Sequence, residues 1–285
     1  MLKMVNKEMI MNINKIGAGI VTFNPDKKRV CEVIDAILIQ VSEVVIVDNG
    51  SDVDINWLKE IYTNQIYIIK NIKNVGIARA LNQIMEYFNN KSFEWVMTLD
   101  QDSILTENAI NHLLKFSSNN VAIICPRIIH DDEIAVDEKE NEKIERTITS
   151  GSLTNVVKWD NIGGFDEDLF IDMVDFDFCE RIKLNGYEII RVNSVRINHQ
   201  YGDAAIKNFF GKKIGVYNYS PFRRYYITRN NIIFYKKYSN IGNFKIMVKE
   251  IVRNVGKVVL YEDNKLKKIN AITKGMKDGI SWKKI

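Results

Sequence analysis

The sequence predicts an α/β fold built on a mostly parallel sheet, and three observations lead there. Short β-branched runs alternate with longer helical patterns through the first half of the chain. The runs are continuously apolar rather than alternating, as strands buried on both faces must be. Polar residues gather where the runs end, the edge at which open α/β sheets bind ligands.

In order, strands are predicted at 16–23, 44–48, 66–70, 95–100 and 121–125, with helices between them at 26–41, 55–62, 77–88 and 106–116. Pro25 suits a first helical turn, and Thr106 is an acceptable N-cap. The charged stretch 131–146 reads as a surface excursion. The GSL at 151–153 and NIGGFDEDLF at 161–170 read as loops. A helix at 176–184 stops at Asn185–Gly186, and a strand follows at 188–199.

Composition sets limits. With 285 residues, 46% hydrophobic and 27% charged, the chain is an ordinary globular protein of one or two domains. Its three cysteines, Cys31, Cys125 and Cys179, form no CxxC pair and no disulfide framework. No charge-free apolar run approaches the ~18 residues of a membrane span. The N-terminal MLKMVNKEMIMNINK lacks the apolar core of a signal peptide. The expectation is a cytoplasmic protein, or one peripheral on the inner face of the cell membrane.

The formal net charge of +4 is unevenly spread. Residues 204–249 hold ten Lys or Arg and no acid, with eleven aromatics interleaved, and residues 240–285 carry +7, leaving −3 for the rest. The expected division is a catalytic domain at 1–238 and a basic helical extension at 239–285. Residues 244–260 pattern as an apolar stripe beside lysines, suited to lying on an anionic membrane surface or to packing on its own domain or on another subunit, such as a homodimer partner.

Four strand ends carry polar clusters: VTFNP at 21–25, VDNGS at 47–51, NVGIARALN at 74–82 and LDQDS at 99–103. Any one is ordinary turn chemistry, but four along one edge suggest a site. Asp48 is placed to accept from a base N–H, and the turn at 74–78 offers helix N-terminal amides to an anion. Asp100 and Asp102, on alternate residues of an extended end, present hard oxygens suited to Mg²⁺ or Mn²⁺ bridging a diphosphate. Asp172, Asp175 and Asp177 crowd a helix start among Phe170, Ile171, Val174, Phe176 and Phe178. One of the three serves as an N-cap, while burial equips another as a general base. His199 closes the last strand as a metal ligand, a diphosphate contact or a surface residue. GxSxG, HExxH and Walker motifs are absent, and Gly17 and Gly19 fall inside the first strand rather than after it, against a dinucleotide site.

In their order, these motifs together with GGFDEDLFIDMVDFDFCER at 163–181 resemble the family 2 glycosyltransferases, which have the GT-A fold. The FID-x-VD-x-D pattern, NHQYGD at 198–203 and SPFRRYYITRN at 220–230 resemble bacterial rhamnosyltransferases more narrowly. The resemblance spans about residues 16–238. It implies that Thr22 and Asn24 lie beside the nucleotide, that Asp48 reads the base and that Asn74, Gly76 and Ala78 line the donor pocket. It further implies Asp100 on the ribose side, Asp102 on the metal, His199 near metal or diphosphate, and Asp175 as catalytic base with Asp172 as competitor. Arg223 and Arg229 are expected to add positive charge to the diphosphate, since guanidinium groups suit phosphate. The implied reaction is inverting transfer of L-rhamnose from dTDP-L-rhamnose to a glycan or lipid-linked acceptor.

Two other readings are weaker. A sugar nucleotidyltransferase needs a glycine-rich basic loop after the first strand, where this chain has TFNPD at 22–26. A nucleic-acid binder would use the basic aromatic half for stacking, but Ile227, Ile232, Ile233 and Phe234 recur there as in a helix packed on a body.

Overall fold

A computed structural model describes residues 16–129, 139–198, 205–209, 212–238 and 244–283. The chain divides into two compact units: residues 1–167 with 174–200, and residues 168–173 with 201–285.

The first unit is an α/β layer structure. Its elements are β1 (Ile16–Thr22), α1 (Lys27–Leu38), β2 (Glu43–Asp48), α2 (Trp57–Tyr62), β3 (Ile66–Lys70), α3 (Ile77–Asn90) and β4 (Trp95–Asp100). There follow β5 (Ile104–Leu105), α4 (Ala109–Leu114), β6 (Val121–Ile129), β7 (Asn141–Lys143), β8 (Ser152–Asn155), α5 (Val156–Ile162), α6 (Val174–Leu184) and β9 (Glu188–Asn198). One sheet runs β3-β2-β1-β4-β8-β6-β9-β5, with β7 paired to β9. The pairs β3–β2, β2–β1, β1–β4 and β6–β9 are parallel, while β8, β5 and β7 run antiparallel to their neighbours. The expected α/β fold with a mostly parallel sheet is present.

Local chemistry explains the elements. Asp26 caps α1 by accepting from the Arg29 amide at 2.8 Å, and Val30, Val33, Ile34 and Ile37 bury one face of that helix. The two glycines of β1 make room for α3. A Cβ at Gly17 would lie 2.2 Å from the Phe88 ring, and one at Gly19 would lie 2.2 Å from Ile84. That is the use of the GAG run in a strand.

The structure departs from the sequence reading in four places. Residues 151–153 are not a loop: Ser152–Asn155 is β8, fully buried between β4 and β6. Its polarity misleads because the Ser152 hydroxyl bonds internally, Oγ donating to the Ile148 carbonyl at 2.6 Å. The helix predicted at 106–116 begins at Ala109, after Asn108 in a left-handed conformation, so Thr106 is not its cap. Within the charged excursion, Asn141–Lys143 is a strand on β9. Asp102 does not extend β4, because the chain turns at Asp100 and the Ser103 amide donates back to the Asp100 carbonyl at 3.3 Å.

The second unit holds the hairpin β10 (Ala205–Phe209) and β11 (Lys212–Val216), then α7 (Pro221–Lys237), α8 (Phe244–Tyr261) and α9 (Lys265–Ser281). Ser220 caps α7 and Pro221 occupies its first turn. Ile232, Ile233 and Phe234 are buried, as a packed helix requires. Buried Glu262 accepts from both Arg224 and Lys268, tying α7 to the α8–α9 connection. No described helix is long and apolar enough to cross a membrane.

Candidate active site

The carboxyl edge of the parallel strands assembles the first part of the site. Thr22 pairs in register with Asp48, Val21 with Asp100 and Asp48 with Lys70, so the four strands β1 to β4 end within one residue of the same level. Thr22 and Asp48 are both buried. The Thr22 hydroxyl donates to the Val47 carbonyl at 3.4 Å, and one Asp48 oxygen accepts from the Ser51 amide at 3.2 Å. Asn24, at φ +47°, joins this loop. Its amide donates to Ser51 Oγ at 2.8 Å, and its side-chain oxygen accepts from the Asp52 amide at 2.8 Å.

Asn49, between Asp48 and Gly50, is the residue the sequence reading passed over. Its Oδ1 accepts from the Val75 amide at 3.0 Å, and its Nδ2 donates to Asn74 Oδ1 at 3.2 Å and to the Gly76 carbonyl at 3.3 Å. Asn74 Oδ1 in turn accepts from the Gly76 amide at 2.9 Å. These bonds lock the turn that opens α3, where Gly76 is the N-cap residue at φ +89° and Ala78 is buried. Gly50, at φ +81°, lies so close to this turn that a Cβ would fall 2.3 Å from the Lys73 carbonyl carbon. Only glycine fits there.

The acidic turn after β4 is equally fixed. The Asp100 amide donates to Ser150 Oγ at 3.0 Å, whose hydroxyl donates to Ser103 Oγ at 2.8 Å. Arg29 donates twice to the Asp102 carbonyl, at 3.2 and 2.7 Å. Among the described residues no three His, Cys, Asp or Glu side chains converge as a self-sufficient metal site. One or two carboxylates completed by phosphate oxygens is how Mg²⁺ is commonly held, and Asp100 with Asp102 fits that donor set.

Of the three acids around α6, each has a different setting. Asp177 is buried and paired with Arg181 at 2.9 Å, which is a structural role. Asp175 accepts from the Phe176 amide at 2.9 Å and borders a small cleft with Thr147, Thr149, Phe165 and Cys179. Burial pushes the thiols of Cys125 and Cys179 up to about 11 and about 12, so neither is a nucleophile at neutral pH.

Asp172 belongs to the second unit, with Arg223 and Arg229. Arg223 Nη2 lies 3.2 Å from Asp172 Oδ1. Burial nevertheless raises the Asp172 carboxyl above its ordinary value, outweighing the guanidinium. Arg229 donates to the Asp168 carbonyl and, through Nε, to Asn230 Oδ1 at 3.0 Å. Asn230, fully buried on α7, donates through Nδ2 to the carbonyls of Leu169, Ile171 at 2.6 Å and Asp172 at 3.1 Å. Both arginines are therefore engaged by the loop 168–173. His199 lies outside the described residues.

The carboxyl edge of the parallel sheet thus carries a buried acid, a helix start and a paired-acid turn, the place where open α/β sheets bind ligands. Residues 18–182 match the family described as glycosyl transferase family 2, and the chain belongs to that family. It is 30% identical over 262 residues to the dTDP-rhamnosyl transferase RfbF of Shigella flexneri, covering 85% of this chain and 86% of that one. Solved structures share the GT-A fold. TarS 1–349 of S. aureus in complex with UDP-GlcNAc superposes with a TM-score of 0.54 at 14% identity, covering 94% of this chain and 73% of that one. GalNAc-T7 with UDP, GalNAc and Mn²⁺ gives 0.58 at 13% identity over 70% of this chain, which spans 44% of that protein. The chain is thus a family 2 glycosyltransferase that is rhamnosyltransferase-like in sequence.

Proposed function

We propose that the enzyme transfers L-rhamnose from dTDP-L-rhamnose, with inversion, to a hydroxyl of a glycan or lipid-linked glycan during cell-surface polysaccharide synthesis on the cytoplasmic side of the membrane. The observation that carries this reading is the likeness to the Shigella dTDP-rhamnosyl transferase along nearly the whole of both chains. Asp48 accepts from the thymine N–H, Thr22 and Asn24 flank the nucleotide, and the first-turn amides after Gly76 face the diphosphate. Asp102, beside Asp100 at the ribose, would hold a Mg²⁺ or Mn²⁺ ion, which when bound neutralises charge on the leaving diphosphate. Asp175 takes the acceptor proton as the hydroxyl oxygen attacks the anomeric carbon, and the bond to dTDP breaks with its electrons leaving on the diphosphate. Arg223 and Arg229 hold the loop 168–173.

On α8 the exposed Phe244, Val248, Val252 and Val259 form one stripe, with Lys245, Lys249 and Arg253 beside it. This supports contact with an anionic membrane.

Calorimetric titration of the full chain with dTDP-L-rhamnose, UDP-GlcNAc and UDP-glucose, each with Mg²⁺ or Mn²⁺, tests the donor. A preference of at least tenfold for dTDP-L-rhamnose is expected, and equal or tighter binding of a UDP-sugar contradicts the reading.

A further inference from the structure

The second unit carries five aromatic rings arranged about one ion pair. Phe170 stacks on Tyr226 with centroids 4.9 Å apart and planes at 16°. Phe222 meets both edge-on, at 5.8 and 4.9 Å. Tyr217 stacks on Tyr219 at 5.3 Å, and the Arg223 guanidinium lies 4.6 Å from the Tyr219 centroid. The Arg223–Asp172 pair belongs to the same cluster through the sequence neighbours Phe170 and Phe222.

These rings are not core. Phe222 is 56% exposed and Tyr217 is 37% exposed, and aromatic rings left exposed are enriched where proteins bind ligands and partners. Among the described residues, Asp172 Oδ2 and Arg223 Nε find no hydrogen-bond partner, although both atoms are shielded from solvent. Such groups are costly to leave unsatisfied. The loop is held in unfavourable geometry as well: Phe170, Asp172 and Met173 all have positive φ, between 57° and 67°.

The combination selects its ligand. An acyl chain would cover the rings but leave the exposed edge of the Arg223–Asp172 pair without a polar partner. A phosphate would meet Arg223 but be repelled by Asp172 alongside it. A neutral sugar ring satisfies both demands, since its C–H face packs on an aromatic plane while its hydroxyls donate to a carboxylate and accept from a guanidinium. We infer that Phe170, Phe222, Tyr226, Arg223 and Asp172 form a subsite for a sugar residue of the acceptor glycan. The inference rests on the proposed glycan acceptor and is independent of which donor is used.

Saturation-transfer NMR on the full chain, with methyl glycosides of L-rhamnose, D-glucose, D-galactose and N-acetyl-D-glucosamine as probes, tests it. At least one glycoside should show saturation at its ring C–H protons. Phe222→Ala should cut that signal at least fivefold, with thermal melting and dTDP affinity as in the wild type. Absence of saturation with all four probes, or equal saturation in Phe222→Ala, would overturn the inference. So would loss of binding to phosphatidylglycerol vesicles in Phe222→Ala with no change toward sugars, which makes the patch a lipid contact. A failed donor preference alongside intact glycoside binding strikes the donor assignment alone.

Discussion

Asn230→Ala removes one side chain that holds three carbonyls of the loop 168–173. One amide nitrogen has two hydrogens, so about two net hydrogen bonds are lost. At about 1–1.5 kcal/mol each, plus desolvation of the orphaned acceptors, the loss is about 2–4 kcal/mol. The loop's three left-handed residues store strain of about 1–3 kcal/mol apiece. Summed, that strain is about 3–9 kcal/mol, which matches or exceeds the restraint, so removing the restraint should free the loop rather than unfold the protein. Hydrogen exchange read by mass spectrometry should show amides of residues 168–173 exchanging at least tenfold faster, with β1–β4 peptides unchanged. Glycosyl transfer should fall while dTDP affinity stays. Wild-type protection of the loop in Asn230→Ala, or loss of protection throughout the sheet, would refute the reasoning.

Other expectations follow from the same geometry. Gly50→Ala should displace the 73–76 turn, because its Cβ would meet backbone at 2.3 Å, and should weaken dTDP binding at least tenfold by calorimetry. Asp102→Ala should abolish the response of nucleotide affinity to Mn²⁺, measured as the difference between titrations with and without the ion. The Asp172 carboxyl is raised by burial, so its contribution to stability is present below the ordinary carboxylate range and is lost as pH rises through its folded value. Urea melts of Asp172→Asn should accordingly gain on the wild type as pH rises from 3.5 to 7, and a gap independent of pH would contradict this.

Much of this architecture was legible because apolar continuity and strand burial are the same physics read twice. The runs at 16–23 and 95–100 could only be interior strands, and β1 and β4 lie there. Where polarity is satisfied inside the fold, the signal inverts. Ser152 and Thr154 sit in a central strand, yet their hydroxyls made the segment look like loop. The strand-end residues Thr22, Asp48 and Asp100 were readable from their position, and register brings them within one residue of the same level. Asn49 and Asn230 were not, because an asparagine that bonds loop backbone leaves no periodicity. The only cue for Asn49 was its place in a D-N-G turn. For Asn230 it was a polar residue set directly before the buried apolar Ile232, Ile233 and Phe234 of a helix. Partners reached over about 60 residues, as from Asn230 to Ile171, exist only after folding.

The most direct test of Asp175 as the base in an inverting transfer is a paired measurement on Asp175→Asn. With dTDP-L-rhamnose, Mn²⁺ and membranes bearing the native acceptor, the wild type should release dTDP in step with rhamnose incorporated in the inverted anomeric configuration, read by NMR of the product. The variant should bind dTDP-L-rhamnose with unchanged affinity and turn over at least a thousandfold more slowly, as loss of a general base predicts. Retained turnover in Asp175→Asn, or a product with retained configuration, would contradict the account.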